Sequence, residues 1–144
     1  MRRVGVAVLI VLLAGCTGPV RSFTVYESKA GKTAQAAVSA VQTALLATDA
    51  AAAGKAYGRY LSETLAEAEA DLTSAQGTFD GIQPPDDRSD QLRGELDGLL
   101  GKAVEGLADL RIAARRGRFG ELPAIARPLH GLSDRLDGFA KAHA

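Results

Sequence analysis

Four stretches of the chain repeat apolar residues at alternating intervals of three and four. The first runs Ala34, Val38, Val41, Leu45, Thr48, Ala52, and the second Leu61, Leu65, Ala68, Leu72, Ala75, Phe79, Ile82. The third runs Leu92, Leu96, Leu99, Ala103, Leu107, Leu110, Ala114, widened by Leu100 and Val104. The fourth runs Leu122, Ile125, Leu129, Leu132, Leu136, Phe139. This spacing places each set on one stripe of an α-helix, whereas a strand would alternate with period two. Each helix has a single apolar face and is unstable alone, but four together close a core.

The breaks between stretches have their own chemistry. Carrying the first stripe past Ala52 would bury Lys55, Arg59 and Ser62, so the phase resets in a turn at Gly54-Lys55-Ala56-Tyr57-Gly58. Pro84-Pro85 ends the second helix, because proline disfavours helix at the residue before it. Asp86-Asp87 opens the third helix, with Asp87 as the expected N-cap and Asp90 in the first turn, where the dipole favours negative charge. Arg115-Arg116-Gly117 closes it with cations and then glycine. Pro123 suits the first turn of the fourth helix, while Pro128 removes a hydrogen bond inside it and is expected to kink it. Short connections make neighbours antiparallel. The expected fold is therefore all-α, an antiparallel up-down-up-down four-helix bundle over residues 29–144.

The start of the chain is different. Arg2 and Arg3 precede the apolar run Val4–Leu13, which is too short to span a bilayer, and small residues then lead into Cys16. Charge, short apolar core and small-residue cleavage site form the layout of an export signal. Leu13-Ala14-Gly15-Cys16 resembles the lipobox of bacterial lipoproteins. The resemblance covers the first sixteen residues only. It implies that residues 1–15 are a signal peptide cut before Cys16, and that the Cys16 thiol carries diacylglycerol, often with an acyl chain on its amine. Cys16 is the only cysteine and has no intramolecular disulfide partner. Two or three acyl chains make a stable anchor. The implied location is the extracytoplasmic face of the cell membrane, or the outer membrane in a cell that has one, since Thr17 rather than aspartate follows the cysteine. Residues 16–28, with Gly18 and Pro19, read as lipidated cysteine and tether, with a short ordered piece around Phe23–Tyr26. About a dozen tether residues would reach roughly 40 Å.

Composition narrows the function. Without the signal, about 130 residues remain, enough for one domain. Charged residues are 24% of the chain and balance in sign, which leaves no global polycation for nucleic acid. The body is rich in alanine and leucine and has no tryptophan, which favours helix over sheet.

Candidate chemistry is sparse. Glu63, Glu67, Glu69, Asp71, Asp80, Asp86, Asp87, Asp90, Glu95 and Asp97 make an acidic region that reads as a solvated face or a docking face. No Glu-x-x-His pair of a di-metal bundle exists, and neither His130 nor His143 belongs to a ligand motif. No nucleophile–base pair, phosphate loop or haem attachment motif is present, so neither a catalytic residue nor a cofactor is expected. Arg111, Arg115, Arg116, Arg118 and Arg127 cluster around the turn between helices three and four, either capping the helix with local ion pairs or gripping an anionic partner. If the first helix starts at the membrane, that turn and the Gly54–Gly58 turn lie at the far end. Tyr57, Arg59, Tyr60, Arg115, Arg116 and Arg118 are therefore the candidate partner-binding residues, facing away from lipid. Gly94, Gly98 and Gly101 fall opposite the leucine stripe of the third helix, a weak homodimer signal.

The expected function is a lipid-anchored, non-catalytic bundle that meets an envelope protein. The alternative is a binding protein for an apolar small molecule or lipid, held where the alanine-rich first helix leaves room among the leucines.

Overall fold

The computed structural model describes residues 20–56 and 58–144. The protein is an all-α four-helix bundle: α1 spans Phe23–Ala52, α2 Gly58–Asp80, α3 Asp87–Arg115 and α4 Leu122–Ala142. A single 3-10 turn, Phe119–Glu121, precedes α4. The expected leucine stripes are the core. Leu61, Leu65, Leu72, Leu96, Leu100, Leu107, Leu110 and Leu136 are completely buried, whereas Ala52 lies exposed at the end of α1. No helix among the described residues is long and apolar enough to cross a membrane.

The first helix begins six residues before the expected residue 29. Ser22 is its N-cap, accepting from the Val25 N–H at 3.4 Å. Extending the helix back to Phe23 places Tyr26 in the core, its ring 5.2 Å from that of Phe79. Burying an aromatic side chain stabilises by roughly 1.5–3 kcal/mol, which offsets part of the entropy of ordering one more helical turn. Six residues therefore follow Cys16 up to and including Ser22, reaching about 20 Å, fewer than the dozen expected before the first helix. The expected signal peptide, residues 1–15, and Cys16 lie outside the described residues.

α1 packs against α2, α3 and α4, while the Cα atoms of α2 and α4 stay more than 8 Å apart. The cross-section is thus a rhombus closed along its α1–α3 diagonal. Alanine makes this approach possible: Ala30, Ala34, Ala37 and Ala44 of α1 and Ala103 of α3 are completely buried. Small side chains let two helix axes come together, so the alanines of α1 fill the space between helices. At its start α1 also meets the end of α4. A Cβ on Gly31 would stand 2.2 Å from the His143 carbonyl oxygen, so only glycine admits this contact. Beside it, His143 Nδ1 lies 3.0 Å from the Glu27 carboxylate.

The N-cap of α3 is Asp86, one residue before the expected Asp87. Its carboxylate accepts from the backbone N–H of Ser89 at 2.8 Å and from the Ser89 hydroxyl at 2.7 Å. Asp87 is already helical, so its side chain no longer reaches the third N–H of the helix. The two Ser89 hydrogen bonds hold the Asp86 carboxyl below its ordinary value. Pro123 sits in the first turn of α4 as expected, and Pro128 lies inside a helix that continues through it to Ala142.

Arg93 of α3 fastens the α2–α3 connection, donating to the carbonyls of Asp80 at 2.8 Å and Ile82 at 3.3 Å. It lies 3.7 Å from both the Asp80 and Asp97 carboxylates. Among the described residues, Asp97 Oδ1 is buried without a hydrogen-bond partner. Burial, with Asp80 adding to it and Arg93 opposing, raises the Asp97 carboxyl above its ordinary value. A carboxyl raised by folding destabilises the fold while ionised, and this cost is relieved as pH falls through the raised value toward 3.8. Asp97→Asn should therefore raise the melting temperature at pH ~7, with the gain shrinking by pH ~3, where the wild-type carboxyl is protonated. Parallel thermal melts at the two pH values test this. A gain that persisted at the acid pH would exclude ionisation as its cause.

Candidate functional site at the distal turns

The end of the bundle opposite the start of α1 is built from two turns of the same design. At the end of α1 the Lys55 N–H reaches the Ala50 carbonyl at 2.8 Å and the Gly54 N–H reaches Ala51 at 3.0 Å. At the end of α3 the Arg118 N–H reaches Ala113 at 2.9 Å and the Gly117 N–H reaches Ala114 at 3.0 Å. Both are Schellman caps, and both glycines sit at φ 69°, where a Cβ is strained. Gly117→Ala should destabilise the bundle by about 1 kcal/mol, seen as a lower denaturation midpoint with an unchanged slope.

The two caps converge. A Cβ on Gly58 would contact Phe119 Cζ at 3.4 Å, so the 3-10 turn after α3 rests on the first residue of α2. At this end Tyr60 is 65% exposed and Phe119 45% exposed, two aromatics that the core leaves outside. Arg59 lies on the surface with an i,i+4 ion pair to Glu63 at 3.1 Å, and Arg118 pairs with Glu121 at 2.7 Å. Arg115 and Arg116 are exposed and make no ion pair among the described residues. Five of the six expected partner-binding residues thus lie at this one end. The sixth, Tyr57, is outside the described residues. Phe119 was not singled out from the sequence, although an aromatic between Gly117-Arg118 and Gly120 in a turn was its signal.

Arg111 leaves the basic cluster. It makes a bidentate pair with Glu69 of α2, through Nε to one carboxylate oxygen and through Nη2 to the other at 3.3 Å. The hydrogen bonding that Arg111 donates to Glu69, with the carboxylate charge assisting and desolvation opposing, raises the Arg111 guanidinium above its ordinary value. This pair lines a groove of about 550 Å³ between α2 and α3, together with Thr73, Ser74 and Arg115. Arg111 accordingly ties two helices together, and Arg115 is the nearest cation left to a partner.

Other candidate residues are dispersed. His130 borders a shallow depression with Gln42, Leu46 and Asp49. Gly94, Gly98 and Gly101 have nothing within 4 Å of an added Cβ and face outward from α3. Among the described residues no group of three or more histidine, aspartate or glutamate side chains is arranged to hold a metal ion. No protein family, no curated protein and no solved structure matches this chain.

Proposed function

We propose that this chain is a lipid-anchored extracytoplasmic lipoprotein whose helical bundle is non-catalytic and docks an envelope protein at its distal end. The observation that carries the docking role is the convergence of the two Schellman turns. It brings the exposed Arg59, Tyr60, Arg115, Arg116 and Phe119 to one end of the bundle. Tyrosine and arginine are enriched among residues that dominate binding energy, and Arg115 and Arg116, which make no ion pair among the described residues, favour an acidic partner. The anchor is supported by Leu13-Ala14-Gly15-Cys16 and its preceding apolar run. α1, with 30 residues, separates anchor and docking end by about 45 Å. The close packing of the α1 alanines favours this reading over an apolar ligand held within the bundle.

The test is crosslinking in native envelopes, followed by affinity capture and mass spectrometry of both protein and extracted lipid. The expected result is Cys16 bearing diacylglycerol and one crosslinked protein partner. Changing Arg115, Arg116 and Arg118 together to Gln should leave helicity and melting nearly unchanged while reducing partner yield about tenfold. A stoichiometric extracted lipid with no protein partner would instead point to lipid binding. Collapse of the fold in the triple variant would make the cluster structural.

A further inference from the structure

The start of α1 carries a charge pattern that docking at the distal end does not use. Val25, Lys29 and Lys32 follow at intervals of four and three, which places them on one face of the helix, and Arg21 lies just before the Ser22 cap. All four are exposed, Val25 at 48%, so this face turns away from the core. Among the described residues none of the three cations makes an ion pair. α1 has only two carboxylates. Glu27 is engaged with His143, and Asp49 lies near the opposite end. Beyond Lys32 the same face continues as Ala36, Ser39 and Thr43, exposed and uncharged. The positive charge is thus confined to the first third of the helix.

The rest of that end is acidic but faces elsewhere. Asp87 precedes the buried Leu96 by nine residues, two and a half helical turns, and so points away from the face of α3 that meets the core. Further along α1 the same face borders a groove shared with α2, where Ala36, Ser39 and Thr43 lie opposite Glu67 and Asp71, so the cations stay at the start of the helix. Arg88, exposed at the start of α3, has its guanidinium 3.6 Å from the centroid of the Phe23 ring and keeps its positive charge beside the start of α1.

We infer that Arg21, Val25, Lys29 and Lys32 form a membrane-contact face, which binds an anionic lipid surface and tilts the bundle onto the first turns of α1. The placement of this face beside the bilayer rests on the proposed anchor at Cys16, whereas its affinity for anionic lipid does not. The six residues after Cys16, through Ser22, keep the start of α1 within about 20 Å of an anchored cysteine, and Lys32 lies about 15 Å further along the helix. Basic residues near an anionic surface add to an acyl anchor as a second, electrostatic signal. An exposed Val25 among the cations gives that contact an apolar centre. The acidic turn at Asp86-Asp87 is repelled by the same surface. The sign pattern therefore selects which side leans down, and the uncharged face beyond Lys32 leaves the distal end free.

The experiment uses the full chain carrying Cys16→Ser, which cannot be lipidated, in flotation assays. One set of vesicles is pure phosphatidylcholine, and the other holds roughly one-quarter phosphatidylglycerol. Arg2, Arg3 and the apolar Val4–Leu13 segment are common to every variant, so the readout is the increment in binding caused by the anionic lipid. Changing Arg21, Lys29 and Lys32 together to Gln should cut that increment about 10- to 100-fold in partition coefficient. The distal triple, Arg115, Arg116 and Arg118 to Gln, should keep it. Salt at ~0.5 M should abolish the part due to α1. Lys29→Glu with Lys32→Glu is the second variant and should fall below the glutamine form, with circular dichroism confirming helix in each. An increment unchanged in the α1 variants, or lost equally in the distal triple, overturns the inference. Intact mass of the native protein reports the anchor separately. Unmodified Cys16 would remove the anchor and leave the vesicle result standing.

Discussion

Leu107→Ala should lower the unfolding free energy by about 2–5 kcal/mol. Leu107 is completely buried at the middle of the α3 stripe and packs into the same cluster as the leucines of α2 and α4. Removing its branched end forfeits transfer free energy and leaves a cavity that long, mutually packed helices cannot readily collapse around. A chain without disulfides has few other sources of stability, so a loss of this size is a large fraction of the total. In denaturant titration the midpoint should fall while the slope stays constant, and the melting temperature should drop by roughly 10 °C. A change below about 0.5 kcal/mol would mean that the site relaxes freely, contrary to a close-packed core.

Ala34→Leu probes the same core in the opposite sense, and should destabilise by about 1–3 kcal/mol. Ala34 is completely buried on the inward face of α1, the helix that contacts all three others. Three extra heavy atoms there have to push helices apart or adopt strained rotamers. The measurement also separates the two functions weighed from the sequence. If α1 left a ligand space facing the leucines, a leucine at position 34 would fill it and raise the melting temperature. A clear fall agrees with a filled interior. A rise would bring back the apolar-ligand reading, and would send the search for function from the distal turns to the interior.

The candidate site was legible in part. Gly54 and Gly117 marked the two turns because a Schellman cap needs a residue at positive φ and glycine supplies it locally. Alternating connections then put both turns at one end, which is why Arg59, Tyr60, Arg115, Arg116 and Arg118 were found together. What stayed hidden were relations between distant residues. Arg111 and Glu69 are 42 positions apart, and nothing in either neighbourhood names the other. The seating of Phe119 on Gly58 depends equally on how two helices are positioned.

The sequence by itself determined the number of helices, the inward stripe of each, the turns between them and hence the all-α class. These follow from short-range facts, namely apolar period, proline and glycine geometry, and dipole-favoured charge near helix ends. Even Asp86 and Asp87 were only one residue apart as caps. Tertiary structure decided where α1 begins, because Tyr26 joins the helix through a ring contact with Phe79, far along the chain. It also decided that α1 and α3 would share the diagonal. Alanine carries little hydrophobic signal, so a buried alanine face and an exposed one look alike in the chain, and only the approach of a second helix tells them apart.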